Sequence, residues 1–378
     1  MPAAIADVFT YGKSYIQALP RYIPGKPASS VAQQYGFAES EVLKLASNEN
    51  PLGIPGSAQQ AMLNLAAQAS GCYPEPEAAP LKARLAERFG VPQSWITVGN
   101  GSSEILELAA RAFAGQGDSI VMSEYAFALY SLYTSAVGAT PVVIPARDFG
   151  HDLEAMLAAI DKTTKLIYIA NPNNPTGTFI EPDEIEYFLS RVPKEVVVLL
   201  DEAYAEYLPD ALQTDSAALL ERHRNLILLR TFSKAYGLAG LRVGYSMAQP
   251  ELTQILNQVR SAFNTNSFAQ VAALAALSDE EFVRCTRDLN DRGREQLYHG
   301  FDLLALPYLR SAGNFVLVHV GDGERISEEL LKRAVIVRPV SSYGLKAWVR
   351  ISVGLPEQNE RLLEALSSSL HSAAAYRQ

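Results

Sequence analysis

From about Asn50 to Asn266 the chain alternates short, uncharged apolar runs with stretches of helical period. Glu195-Val196-Val197-Val198-Leu199-Leu200 and Lys165-Leu166-Ile167-Tyr168-Ile169-Ala170 are nearly continuous aliphatic and β-branched runs. Runs of that kind predict strands buried on both faces of a parallel sheet. Between such runs, Ala79–Phe89, Ser103–Phe113 and Pro182–Leu189 carry apolar residues at helical spacing. Strands and helices in alternation predict a doubly wound α/β unit. Past Asn264-Thr265-Asn266 the character changes. Phe268–Leu277 and Glu280–Leu304 predict helices, and Asn314–Val320, Ala334–Arg338 and Trp348–Val353 predict strands. Glu357–Leu370 closes the chain as a helix. The pattern predicts an α/β domain over residues 50–266 and a smaller α+β domain over 267–378, with residues 1–49 in front of them.

Composition narrows the function. At 378 residues and 48% apolar the chain can bury large cores. A net charge of −9 with no basic block argues against nucleic acid and anionic membrane surfaces as partners. Two cysteines, Cys72 and Cys285, are too few for a disulfide framework and fit a reducing cytoplasm. The N-terminal stretch holds Lys13 and Arg21 without the sustained apolar core of a signal peptide. A cytoplasmic protein without a metal site is expected.

The chemistry gathers at the ends of the predicted strands. In Thr231-Phe232-Ser233-Lys234-Ala235-Tyr236-Gly237-Leu238-Ala239-Gly240-Leu241-Arg242, Lys234 sits among small and apolar neighbours. Desolvation there lowers an ammonium's pKa and yields a neutral amine able to form a Schiff base. Ser233 and Arg242 offer a hydroxyl and a planar cationic fork, the donors a phosphate needs. A solvated lysine on a strand-to-helix turn is the competing reading. Asp201 closes the run 195–200, at the carboxyl end of its strand, where open α/β sheets bind ligands; the alternative is a helix cap. Lys234 is expected on the next apolar strand. In Gly99-Asn100-Gly101-Ser102-Ser103-Glu104 a strand turns through two glycines into a helix. Ser102 and Ser103 would there offer an anion the free N–H groups and dipole of the helix start, although a plain capped helix start reads the same way.

The segment from Ser233 to Gly244 resembles the lysine motif of class I/II aminotransferases, which use pyridoxal 5′-phosphate (PLP). The resemblance implies fold type I, with a mostly parallel seven-stranded sheet sandwiched by helices and a smaller α+β domain that also includes the first forty-odd residues. It implies Lys234 as the residue that holds PLP and moves the proton, and Asp201 on the pyridine nitrogen. Asn174, from the loop Asn171-Pro172-Asn173-Asn174-Pro175-Thr176-Gly177, and Tyr204 would donate to the ring oxygen. Phe127 would stack on the ring, or else be an ordinary core aromatic. Ser102, Ser103, Ser233 and Arg242 would bind the phosphate, and Tyr73 would reach the PLP phosphate of the neighbouring subunit in a homodimer with shared active sites.

Tyr22-Ile23-Pro24-Gly25-Lys26-Pro27, Leu45–Gly53, Tyr73-Pro74-Glu75 and Val337-Arg338-Pro339 with Tyr343-Gly344 look like the histidinol-phosphate aminotransferases. That subfamily resemblance spans the chain and implies histidinol phosphate with 2-oxoglutarate, or the reverse with glutamate. Arg350 would receive the substrate anion, and Arg338 and Tyr22 the phosphate. Two departures fall on the substrate side: Gly313 stands where an Ala usually precedes Asn314-Phe315, and Lys346-Ala347 stands where many relatives have Pro-Asn. An aromatic amino-acid aminotransferase and a threonine-phosphate decarboxylase share nearly all these residues. A PLP-binding transcriptional regulator would need a basic DNA-binding module in front. Glu49, His223 and His299 are read as surface or packing residues.

Overall fold

The computed structural model describes residues 11–67 and 71–375; the first residues of the arm and the extreme C-terminus lie outside them. Thirteen strands are present among these residues: β1 (Leu43–Lys44), β2 (Ile96–Gly99), β3 (Ser119–Ser123), β4 (Thr140–Ile144), β5 (Thr164–Ala170), β6 (Val197–Asp201), β7 (Leu226–Thr231), β8 (Gly244–Ala248), β9 (Tyr308–Leu309), β10 (Phe315–His319), β11 (Val335–Ile336), β12 (Arg338–Pro339) and β13 (Trp348–Ser352). Seven of them form one sheet in the order β2-β8-β7-β6-β5-β3-β4. It is parallel except at β8, which runs antiparallel to both β7 and β2.

Continuous apolar runs suit this sheet because helices cover both its faces. Ile167, Ile169, Val198, Leu200 and Leu228 point into one core, and Leu166, Tyr168, Leu199, Ile227 and Leu229 into the other. Neighbouring residues thus face opposite cores, as strand geometry requires. Register decides where the chemistry falls. Ala170 pairs with Asp201 and Asp201 with Leu229, so the segments leaving β5, β6 and β7 emerge side by side.

A second, antiparallel sheet, β12-β13-β10-β9, carries its own core of Val316, Val318, Val349 and Ile351 against Leu297, Phe301, Leu330 and Leu362. Those last residues lie on the helices Glu280–Leu303, Gly323–Leu331 and Pro356–Ala375. Asp279 caps the longest of these, accepting from the Phe282 N–H at 3.2 Å. β1 pairs in parallel with β11, which stitches the N-terminal segment to this side of the molecule.

Three expectations change. Residues 334–338 do not form one strand. Val335–Ile336 pairs with β1 and Arg338–Pro339 with β13, so the chain changes partners at Val337. The helix Ser267–Ala276 sends Ala269, Ala272, Ala273 and Ala276 into a core of the large sheet, because its narrow alanine face lets the helix Gly56–Ala67 approach closely. Lys234 lies beyond the end of β7, in a loop. There the Gly237 N–H bonds the Lys234 carbonyl at 2.9 Å. Gly237 has φ +68°, and a Cβ there would collide with the Gly53 carbonyl, so only glycine fits this turn. Among the described residues no helix is long and apolar enough to cross a membrane.

Candidate active site

One cavity of about 470 Å³ gathers Tyr22, Ser102, Ser103, Phe127, Asn174, Asp201, Tyr204, Ser233, Lys234, Arg242, Arg338 and Arg350. They come from eight separate stretches of sequence, brought together by the carboxyl ends of β5–β7, the start of the helix Ser102–Phe113 and the strands β12 and β13, with Tyr22 and Phe127 on loops beside them. Tyr73 is the exception. It is 79% exposed and lies face to face with Phe263, ring centroids 4.5 Å apart.

At one end of the cavity Arg242 spans two hydroxyls, donating to Ser233 Oγ at 3.3 Å and Ser103 Oγ at 3.1 Å. The helix start points its free N–H groups the same way. Gly101, at φ +77°, leaves room for the guanidinium, which a Cβ would strike. Two hydroxyls, a fixed cation and a helix N-terminus make an anion cradle.

At the floor, Asp201 is buried and its Oδ2 accepts from the Tyr130 hydroxyl at 2.8 Å, while Oδ1 accepts from the Ala203 N–H at 3.2 Å. Burial pushes its carboxyl up to about 6, against the pull of those donors. Both donors are neutral, so no cation in hydrogen-bond contact compensates the charge. Burial, with the nearby Arg350 charge adding to it, lowers the Lys234 ammonium to about 8. Its Nζ donates to the Ser47 carbonyl at 3.2 Å. Tyr204 is pushed up to about 12, chiefly by burial, and its hydroxyl accepts from Asn48 Nδ2 at 2.9 Å. Phe127 meets Tyr130 edge-on at 5.9 Å, and both line the cavity.

The wall opposite the cradle carries two arginines. β12 and β13 pair Arg338 directly across from Arg350. Arg350 is buried, donates to Asn174 Oδ1 at 2.6 Å and to the Ala46 carbonyl at 2.8 Å, and keeps its Nε without a partner. Burial lowers its pKa, and the Arg338 charge adds to the lowering. Arg338 donates to the Ile23 carbonyl at 2.8 Å, which ties the Tyr22 segment over the opening.

Asn48, Tyr130 and Tyr343 line the same cavity, and the sequence alone assigned none of them a role. Tyr130 sits three residues past Phe127, one helical turn on, which was the available signal. Asn48 adopts φ 54° inside a quoted motif, but nothing local announces its bond to Tyr204. Glu49 pairs with Lys44 at 2.9 Å and the His223 ring meets Glu186 at 2.9 Å; His299 is exposed.

Comparison with known proteins agrees with this arrangement. The family model for "Aminotransferase class I and II" matches residues 40–366. Histidinol-phosphate aminotransferase 2 of Ralstonia nicotianae is 54% identical, over 97% of this chain and 98% of its own. Histidinol-phosphate aminotransferase 1 of Cupriavidus pinatubonensis is 53% identical over 95% and 96%. The crystal structure of the Sinorhizobium meliloti histidinol-phosphate aminotransferase in complex with pyridoxal-5′-phosphate superposes with a TM-score of 0.89 at 28% identity, covering 96% of this chain and 98% of that one. The aspartate aminotransferase of Thermus thermophilus shares the fold, with a TM-score of 0.81 at 23% identity. The chain therefore belongs to the class I and II aminotransferases, on the branch of the histidinol-phosphate aminotransferases.

Proposed function

We propose that this chain is a PLP-dependent histidinol-phosphate aminotransferase, exchanging an amino group between histidinol phosphate and 2-oxoglutarate. The observation that carries the substrate class is the pairing of Arg338 with Arg350 across adjacent strands. Like charges directly opposite one another destabilise a sheet, and here one of them is buried. An anion carrying more charge than a carboxylate, such as a phosphate ester, relieves that repulsion. Tyr22, on the same cavity wall, would add a hydroxyl donor.

The residues fit PLP. The cradle of Ser102, Ser103, Ser233 and Arg242 would hold its phosphate. Asp201, a buried carboxylate without a cation in contact, suits a ring nitrogen that gains a proton. Asn174 accepts from Arg350 through its oxygen, so its Nδ2 is left to donate to the ring oxygen beside the Tyr204 hydroxyl, and Phe127 would cover one ring face. When bound, PLP supplies a conjugated, protonated ring that draws electrons from the substrate's Cα. Lys234, held down to about 8, has a neutral fraction near pH 7 and would take the proton from Cα and return it across the cavity. Arg350 would orient the substrate anion in both half-reactions, and Arg338 would engage only the phosphate.

The proposed organisation has residues 1–49 as arm and part of the small domain, 50–266 as the PLP-binding domain and 267–378 as the remainder, except that the helix Ser267–Ala276 packs on the large domain. A cytoplasmic homodimer is part of the same reading: Tyr73 and Phe263 form an exposed aromatic pair suited to a second copy, from which Tyr73 would reach the partner's phosphate cradle.

Arg338→Ala should lower kcat/KM for histidinol phosphate by a few kcal/mol, on the scale of charged hydrogen bonds, and leave glutamate nearly untouched. Arg350→Ala should lower both. Equal losses for the two substrates in the Arg338 variant would overturn the phosphate role and favour an aromatic amino-acid aminotransferase. Release of carbon dioxide from threonine phosphate would instead identify a decarboxylase.

A further inference from the structure

Behind Tyr204, where the large sheet meets the helix Glu280–Leu303, lies a second and much smaller cavity of about 10 Å³. Tyr207, Asn290 and Asn314 line it, with Thr286, Leu289 and Val353. Its size matches one water molecule, which needs at least roughly 10–15 Å³.

The polar atoms around it are the stronger observation. Tyr207 is 2% exposed, Asn290 4% and Asn314 2%, yet Tyr207 Oη, Asn290 Oδ1 and Asn314 Oδ1 have no protein partner in hydrogen-bond geometry, the Asn314 amide lying only near enough to Tyr207 to oppose the effect of burial on its hydroxyl. The other ends of both amides are committed. Asn290 Nδ2 donates to the Gly313 carbonyl at 3.2 Å, and Asn314 Nδ2 to the Asn48 carbonyl at 3.0 Å. Buried polar groups left like this are costly, and folded proteins seldom leave them without a partner. What remains is one hydroxyl donor and two amide acceptors. A single water satisfies all three, accepting from Tyr207 and donating one hydrogen to each amide oxygen.

We propose that this cavity holds one tightly bound water that fixes the Asn314 amide and, through Asn48, the hydroxyl of Tyr204. The chain of contacts is continuous. Water bonded to Oδ1 holds the Asn314 amide in the rotamer that donates to the Asn48 carbonyl. Asn48 in turn donates through Nδ2 to Tyr204 at 2.9 Å. Ser352 Oγ accepts from the Asn48 N–H at 2.8 Å and holds it against β13. Asn314 and Tyr207 are thus positioning residues for Tyr204, and the proposal rests on the assignment of Tyr204 to the site only in its last link.

Two measurements on the holoenzyme test it. A high-resolution crystal structure should show one isolated peak at about 2.6–3.2 Å from all three atoms. A direct bond between Tyr207 Oη and the Asn314 amide with no peak between them overturns the water site. Tyr207→Phe removes the hydroxyl that would donate to the water while keeping the ring. It should weaken PLP binding several-fold in the wild-type background and leave it unchanged in a Tyr204→Phe background, with PLP dissociation constants as the readout. An equal effect in both backgrounds, or none in either, overturns the relay to Tyr204. The density result stands whichever substrate the enzyme uses, so its failure is distinct from failure of the proposed function.

Discussion

Replacing Lys234 by methionine should make the PLP-free protein more stable at neutral pH. Burial takes the Lys234 ammonium from 10.5 down to about 8. At about 1.4 kcal/mol per pH unit, folding with that charge inside costs about 3 kcal/mol relative to the unfolded chain. Methionine is unbranched and of similar length but carries no charge. It also forfeits the 3.2 Å bond from Nζ to the Ser47 carbonyl, worth about 1 kcal/mol. The variant should therefore gain about 2 kcal/mol at pH 7. The pH dependence carries the diagnosis. Below about 8 both folded and unfolded chains hold the proton, and the penalty is at its full value. Between about 8 and 10.5 the unfolded chain binds more protons than the folded one, so wild-type stability rises with pH. By about 10.5 the gap between the two proteins should have closed, with the lost hydrogen bond leaving wild type slightly ahead. Asp201 titrates in both proteins, so its contribution cancels in the difference to first order. Urea midpoints of the PLP-free proteins at pH 7, 8, 9 and 10 would measure the gap. A variant less stable at pH 7, or a gap that does not change with pH, would refute a buried and costly ammonium.

Asp201→Asn should fold and bind PLP yet lose about 10²- to 10³-fold in turnover, the scale of one preorganised electrostatic contact; steady-state kinetics at saturating PLP would show normal rates if Asp201 were only a cap. Tyr130→Phe removes a donor that holds the Asp201 carboxyl down, so the acid limb of PLP affinity should move to higher pH, and an unmoved limb would mean the 2.8 Å contact does not tune the carboxyl. Mixing inactive Tyr73 and Lys234 variants should restore part of the activity through hybrid dimers, and no recovery after verified subunit exchange would count against a shared site. In Gly313→Ala the new Cβ would meet the buried Phe315 ring at 2.7 Å, costing of the order of 1 kcal/mol by denaturant midpoint; an unchanged midpoint would show that the ring moves freely.

How far the molecule can be read from sequence depends on what each feature rests upon. β5 and β6 were legible because strands covered on both faces need an unbroken apolar run, and that requirement is local. The lysine segment was legible because its glycines and small residues answer to one tight turn. The split at Val337 was not, since Ala334-Val335-Ile336-Val337-Arg338 looks the same whether it pairs with one neighbour or two. The destination of the helix Ser267–Ala276 was equally hidden, because an alanine face fits any closely packed partner. Tyr130 and Asn48 escaped for the same reason. Asp201 and Tyr130 are 71 residues apart and Asn48 and Tyr204 are 156, and only the assembled sheets bring each pair into contact.

The electrostatics of the cavity explain why these contacts come as a set. Burial opposes the charge on Asp201, Lys234 and Arg350 alike. No pair among them is joined by a hydrogen bond, as a purely structural ion cluster would be. Arg230 provides the contrast within the same molecule. It is equally buried, but its Nε donates to Glu202 at 2.9 Å, and its pKa is raised. The two carboxylates beside it, Glu202 and Glu206, offset its burial, so its charge is balanced by side chains of the protein itself. The cavity charges are arranged differently. They are an isolated anion on the floor, an amine stripped of solvent, and two cations across adjacent strands. Asp201, Lys234 and Arg350 each lack a hydrogen-bonded partner of opposite sign, and the groups that would meet them are parts of the proposed ligands: a protonated ring nitrogen, a carbonyl carbon, and a phosphate or carboxylate. A site whose charges pay for burial only when cofactor and substrate are bound should be least stable when empty, and the gain expected for the Lys234→Met protein measures how much of that cost one residue carries.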